Sequence, residues 1–451
     1  MLIYLLERTV LATEDSKEID GHHWRLAPHN LEATGVPGIP FTCISYVWGK
    51  EREESPFHPS FQISSRTIPS LTAVTLHLPS RTHFWVDALC VPVDDIFARN
   101  ETLQSMGFIY SVAEEVVAIL SKDTYPMLKQ MNETDLLDAA HLDILEKEEW
   151  VVRAWTYQEA VNSRRLFLTC EGSDGALVDG SNFLNRLGYT LSRVEVGGLT
   201  KKNYPRLDAF EDLIADYMLS AYQERSALQV IANMDRRAHE YPQDRFFAMM
   251  SAISSTSSSF RNTLDPCEAF MAMCEQKGDY SFIYTAAERD TAPGRGWRPA
   301  TGGSLPAIIP WHSWGDGQPA RKDGEEFYLD SVVVFRPQEL QAIGKEFITK
   351  WLAASKMTFP DASPEVTIPM ALQAMGYKGS TEGISTSHGL FFPFKQVEGD
   401  KEIEIIVATK VRWTFGAPGL VRIQETSMTR YEPGVFFGRI ENGDATSAKV
   451  S

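Results

Sequence analysis

Four short runs rich in β-branched, aromatic and aliphatic residues, 41–47, 84–91, 116–120 and 166–170, recur along the N-terminal part of the chain with room for a helix between successive members. Strand-sized apolar runs alternating with helical patterns are the signature of βαβ units, and hence of a parallel sheet. The intervening helices fall at 69–78, about 96–113 and about 149–161. In the second of them Leu103, Met106, Ile109 and Tyr110 share one face at helical spacing. The expectation is an α/β fold with a doubly wound, mostly parallel sheet in the N-terminal half.

The sequence changes character after residue 259. Residues 205–251 read as helical, with 241–245 a turn feeding an apolar helix over 246–253, and the serine-rich stretch 254–259 reads as a loop. From about residue 280 Trp, Pro and Gly become frequent, and runs at 331–335, 404–408 and 435–437 predict a mainly β module. The expected organisation is an α/β domain with an N-terminal extension over 1–200, a helical connector over 201–260 and a β-rich accessory domain over 261–451. Residues 1–12 read as a first strand or short helix. Glu7 interrupts their apolar run and no basic segment precedes it, which argues against a cleaved secretory signal.

Sixty acidic against 43 basic residues give a net charge of −17, which opposes attraction to phosphate backbones and anionic membranes. No nucleic-acid partner is expected. The short basic pairs Arg164-Arg165, Lys201-Lys202 and Arg236-Arg237 read as solvated faces. No run of about 18 apolar residues is long enough to span a bilayer. Five scattered cysteines argue against a disulfide framework and for a reducing, cytoplasmic setting. No CxxC pair or HExxH helix points to a metal, so no metal site and no bound cofactor are expected.

Ligands of open parallel sheets bind beyond the carboxyl ends of the strands. Ser45, Tyr46 and Trp48 close the first strand, and Asp87 and Cys90 end the second. Asp94 and Asp95 open the helix that follows, where N-capping is the plain alternative. Trp155 and Glu159, four residues apart, project from one helix face. Lining a cleft, they offer a stacking surface and a carboxylate able to bind hydroxyls or stabilise a developing cation. Alternatively, Trp155 is core and Glu159 pairs with Arg153 or Arg164 at the surface. Cys90, with His83 nearby in sequence, reads as an inert buried thiol rather than a nucleophile. His22, His23, His312 and His388 have no partner spacing.

The segments 44–49 (ISYVWG), 85–90 (WVDALC) with Asp94, Asp95 and Arg99, Met106 through Tyr110 to Ala113, and 153–159 (RAWTYQE) resemble, in order, the motifs of the fungal heterokaryon-incompatibility (HET) domain. Residues 241–245 with Phe247 and Ala248, and the later Leu305-Pro306 and Pro310-Trp311, resemble downstream segments of such proteins less specifically. One departure stands out: Val91-Pro92-Val93 replaces the family's usual Ile-Asn-Gln, removing two polar side chains.

HET domains are in turn similar to TIR domains, and the Trp155-x-x-x-Glu159 spacing resembles that of the TIR helix bearing the glutamate of NAD+ glycohydrolases. The resemblance implies a TIR/flavodoxin-like sheet and hydrolysis of NAD+ or a related nucleotide, in a cell-death protein of nonself recognition. Glu159 would be catalytic, with Ser45, Tyr46, Trp48, Asp87, Arg153 and Trp155 binding substrate, and Tyr46 or Trp48 stacking on nicotinamide. Two other functions stay open: a non-catalytic module that homo-oligomerises or docks a signalling partner, and a HET-like enzyme diverted to secondary metabolism.

Overall fold

The computed structural model describes residues 1–31, 38–172, 176–194, 204–218, 225–253, 265–324, 326–355, 363–397, 402–425, 429–441 and 445–450. The chain forms two compact units, Met1–Tyr222 with Arg237–Arg261, and Gln223–Arg236 with Asn262–Ser451. Among the described residues no helix is long and apolar enough to cross a membrane. The serine-rich stretch 254–259 and Lys201-Lys202 lie outside the described residues.

In the first unit, strands β1 (Leu2–Thr9), β2 (Lys17–Ile19), β3 (His22–Asn30) and β4 (Thr42–Tyr46) precede a small ribbon of β5 (Arg52–Glu54) and β6 (Gln62–Ser64). Helix α1 (Thr67–His77), β7 (His83–Val86) and the short helices α2 (Asp87–Cys90), α3 (Ile96–Gln104) and α4 (Met106–Val112) follow, then β8 (Glu115–Leu120). Helices α5 (Tyr125–Thr134), α6 (Leu142–Lys147), α7 (Glu149–Val152) and α8 (Ala154–Val161) lead to β9 (Leu166–Cys170), β10 (Val178–Asp179), α9 (Gly180–Val194) and α10 (Pro205–Met218). Helix α11 (Ala227–Met234) belongs to the second unit, and α12 (Pro242–Ile253) returns to the first.

The sheet order is β10-β9-β8-β4-β7-β1-β3-β2. Strands β9, β8, β4 and β7 run parallel, and β1, β3, β2 and β10 add antiparallel edges, so the sheet is mixed. Every residue of β4 and β8 is buried, as a strand covered on both faces requires. Residues 1–12 contribute a strand, not a helix, and the burial of Ile3 and of Leu5 through Glu7 suits its place between β3 and β7.

Three expected elements are shorter than anticipated. The strand expected over 84–91 stops at Val86, because Asp87 turns the chain into α2: its side chain accepts from Ala88 N at 2.7 Å and its carbonyl from Val91 N at 3.0 Å. The helix expected over 96–113 breaks at Ser105. Past the break, α4 lays Gly107 against the backbone of α12, where a Cβ would come within 2.0 Å of the Ser251 carbonyl oxygen. The helix expected over 149–161 breaks at Arg153, whose backbone is extended (φ −71°, ψ 144°) and forms a parallel bridge with Ala238.

A break of that kind strands carbonyl groups that need donors. Ala238 N donates to Val152 O at 2.7 Å, Thr156 Oγ1 to Trp150 O at 2.6 Å, and Arg237 Nη1 to the carbonyls of Val151 and Arg153 at 3.1 and 3.2 Å. The guanidinium of Arg237 also lies over the Tyr157 ring. Arg237 is therefore buried, not solvated. Arg164 and Arg165, by contrast, are exposed as expected, with surface contacts to Ser111 O and to Glu115 and Phe167.

The second unit is β-rich. Helix α13 (Pro266–Lys277) precedes β11 (Ala320–Asp323) and β12 (Glu326–Phe335). Helices α14 (Ala342–Ala354) and α15 (Pro364–Ala374), which the strand pattern did not reveal, come before β13 (Ile384–Ser385), β14 (Gly389–Pro393), β15 (Ile403–Ala408), β16 (Gly416–Gln424), β17 (Thr429–Gly438) and β18 (Thr446–Lys449). The antiparallel order is β11-β12-β15-β16-β17-β14-β13, with β18 on β12. Phe335, Phe391, Val407, Val421 and Phe436 are among the apolar core of this sheet, and Trp351 of α14 meets Phe437 edge-on at 5.1 Å. Leu305-Pro306 and Pro310-Trp311 lie in this unit.

Candidate functional site

The carboxyl end of β4 supplies the first polar group. Ser45, buried, donates its hydroxyl hydrogen to Glu159 Oε2 and accepts from the indole Nε1 of Trp150 at 2.7 Å. Trp150 is fully buried in α7, whose N-terminus is capped by Glu148; that carboxylate also accepts from Ser121 N and Oγ at the end of β8. One chain of hydrogen bonds thus ties the ends of β4 and β8 to the helices carrying the acid.

Glu159 is only 5% exposed, which overturns the surface alternative. Burial pushes its carboxyl up to about 8, with the nearby Asp87 acting in the same direction and Ser45, Arg153 and the Tyr110 hydroxyl partly opposing it. At neutral pH the group is mostly protonated. It can donate one hydrogen bond and still accept others.

Asp87, at the start of α2, is half-buried. It accepts from Trp48 Nε1 at 2.8 Å, and the Tyr46 hydroxyl, which is also 2.8 Å from Thr67 Oγ1, bonds to it as well. Burial raises its carboxyl above the ordinary value, and these bonds and Arg153 hold it down. Tyr46 is 5% exposed, so its ring faces are not open for stacking. Trp48 is half-buried, with the Arg52 guanidinium 5.5 Å from its ring centroid.

Arg153 links the cluster. Held extended at the helix break, it is half-buried and interacts electrostatically with Asp87, Glu159 and Asp244. The last of these was missed in sequence, although it lies in the 241–245 segment. Trp155 donates its indole hydrogen to Asp244, and its ring stacks on Phe247 at 6.5 Å and 14°. Its aromatic face is therefore engaged by α12. The structure brings Ser45, Tyr46, Trp48, Asp87, Arg153 and Glu159 into one hydrogen-bonded and electrostatic cluster, with Tyr110 and Trp150 joining them. Trp155 connects to it through Asp244 and Arg153.

The remaining sequence candidates have local roles. Asp95 caps α3, accepting from Phe97 N and Ala98 N at 2.9 and 3.2 Å. Asp94 is exposed, 3.9 Å from His58. Cys90 is fully buried, accepts from Val86 N at 3.4 Å, and has its thiol pushed up to about 12 by burial, so it is not a nucleophile at neutral pH. All five cysteines are free and buried. Val91, Pro92 and Val93 are half-buried just past α2. A surface groove of about 390 Å³ beside α1, lined by Asp20, Ile68, Thr72, Leu76 and Gly172 among others, contains none of the cluster residues.

The fold and the cluster define a mixed α/β protein with a buried, arginine-linked carboxylate centre at the ends of parallel strands. Residues 41–143 match the family model described as heterokaryon incompatibility protein (HET), and the chain thus carries a HET domain. The matched segment contains Ser45, Tyr46, Trp48 and Asp87 and ends before Arg153 and Glu159. No curated protein and no solved structure matches the chain.

Proposed function

We propose that the first unit is a cytoplasmic, cell-death-class HET module that cleaves the N-glycosidic bond of NAD+ or a related nucleotide, with Glu159 as its central acid. The observation that carries this is the position and state of Glu159. It is a buried carboxyl, mostly neutral at pH 7, bonded to a serine at the carboxyl end of β4.

Two further features support the reading. Numbered along the chain, the parallel strands β4, β7, β8 and β9 lie in the spatial order 2-1-3-4, that of a doubly wound TIR/flavodoxin-like sheet. Such sheets bind ligands where the order reverses, between the first and third strands, and there Ser45 pairs with Ala118. A neutral Glu159 can hydrogen-bond ribose hydroxyls. Once ionised, it can stabilise the positive charge that develops at the anomeric carbon as nicotinamide leaves. Because Glu159 is covered, nucleotide entry would displace the side chains over it.

The test is NAD+ consumption by purified full-length protein. Wild type should release nicotinamide, and Glu159→Ala should abolish release while keeping the wild-type circular dichroism spectrum. A folded Glu159→Ala protein with full turnover would refute the assignment.

The enclosure of Glu159 among Ser45, Tyr110 and Arg153 favours one second function, a non-catalytic signalling module in which the carboxyl pins α8 to the sheet. Concentration-dependent self-association without nucleotide turnover would select it.

A further inference from the structure

A second polar cluster lies away from the carboxyl ends of the parallel strands, on the antiparallel part of the same sheet. Glu7 of β1 pairs in register with Arg25 of β3 on one side and with His83 of β7 on the other. His29, farther along β3, turns its ring back toward the same carboxylate. Glu7 Oε1 is 2.7 Å from His29 Nε2 and 3.6 Å from His83 Nε2, and one ligand atom from each of the three residues lies within 4.8 Å of the other two. The two imidazoles are nearly perpendicular (88°), with centroids 5.9 Å apart.

We propose that Glu7, His29 and His83 form a binding site for a divalent cation of the zinc class. Two imidazoles and one carboxylate are a ligand set that zinc takes in three-ligand sites, leaving a fourth position for water. Metal–ligand bonds of about 2.1 Å place tetrahedral ligand atoms roughly 3.4 Å apart. The Glu7–His83 separation already fits, and the Glu7–His29 contact need open by less than an ångström.

The surroundings are arranged as such a site needs. Arg25 Nε holds Glu7 Oε2 at 2.5 Å, fixing the carboxylate plane and leaving Oε1 toward the histidines. His83 Nδ1 is 2.9 Å from Thr82 Oγ1. A hydrogen bond from Nδ1 to that hydroxyl would leave the Nε2 lone pair free, as outer partners of metal-bound histidines do. The histidine side chains are 18% and 23% exposed, which gives an ion a path from solvent, while Glu7 at 10% anchors the site inside. The three residues come from three strands, so a bound ion would cross-link β3, β1 and β7.

The experiment is a Co2+ titration of full-length protein followed by visible absorption, with Zn2+ as competitor. Wild type should take up one equivalent of Co2+ with the intense visible bands of a four-coordinate ion, and Zn2+ should displace it. His29→Ala and His83→Ala should each weaken binding by tenfold or more, and Thr82→Ala by less. Zn2+ should raise the melting temperature of wild type and not that of the His29→Ala/His83→Ala double variant. Circular dichroism confirms that the variants fold; both histidines are partly exposed, whereas Glu7 is left intact because Arg25 depends on it. Absence of Co2+ binding, or binding unchanged in the folded double variant, would overturn the proposal.

Discussion

Ser45 and Glu159, 114 residues apart in sequence, share a buried hydrogen bond that joins the end of a central parallel strand to the helix bearing the acid. The serine oxygen is also the acceptor for Trp150 Nε1. Ser45→Ala therefore leaves two buried polar groups without this partner. The expected loss is about 1–3 kcal/mol of unfolding free energy, measured by urea denaturation, and a loss below a few tenths would show that water or rearrangement replaces the hydroxyl.

The protonation of Glu159 sets a pH dependence of stability. Its folded-state value of about 8 lies above the ordinary 4.5, so the folded protein binds the extra proton between those limits. The associated stability is complete below about 4.5 and is lost as pH rises through about 8. Asp87, also raised, adds a contribution of the same sign. Wild type should become less stable relative to Glu159→Gln as pH increases across this range. Parallel unfolding curves for the two proteins would contradict a neutral Glu159.

Gly107→Ala should be strongly destabilising, because the new methyl would collide with a backbone carbonyl, which cannot swing aside as a flexible side chain can. Overpacking of this kind costs about 1–3 kcal/mol or more. A calorimetric melting temperature equal to that of wild type would mean that α4 and α12 separate freely.

Gln158 precedes the acid and is fully buried, with neither side-chain amide atom hydrogen-bonded. Replacing it by methionine removes the unpaired polar atoms at similar volume and should raise stability by about 1 kcal/mol or more. A destabilised Gln158→Met protein would indicate that the amide has a polar partner in solution.

Much of the sheet was legible because its strands announce themselves: residues 116–120 and 166–170 are nearly continuous apolar runs, as buried parallel strands must be. The positions of Ser45 and Asp87 at strand ends followed from the same pattern. The helix breaks at Ser105 and Arg153 did not, since neither residue is itself a Gly or Pro. Gly107, just past Ser105, closely approaches Ser251, and Arg153 itself bridges to Ala238, both partners distant in sequence. The same long-range contacts hid Asp244, whose link to Arg153 depends on α12 returning to the unit. Trp155 and Glu159 have the expected i, i+4 relation, but α12 takes the indole with Phe247 and Asp244, leaving the acid to Ser45 and Tyr110.

The bridge between Arg153 and Ala238 has a bearing on biosynthesis. Arg153 emerges 85 residues before the segment that holds it, an interval of about 4–17 s at ordinary translation rates of roughly 5–20 residues per second. Throughout that interval a nascent chain has its acid helix without its backbone latch, and α12 is still unmade. The cluster around Glu159, with the Arg153–Asp244 link that α12 supplies, is thereby completed only late in synthesis.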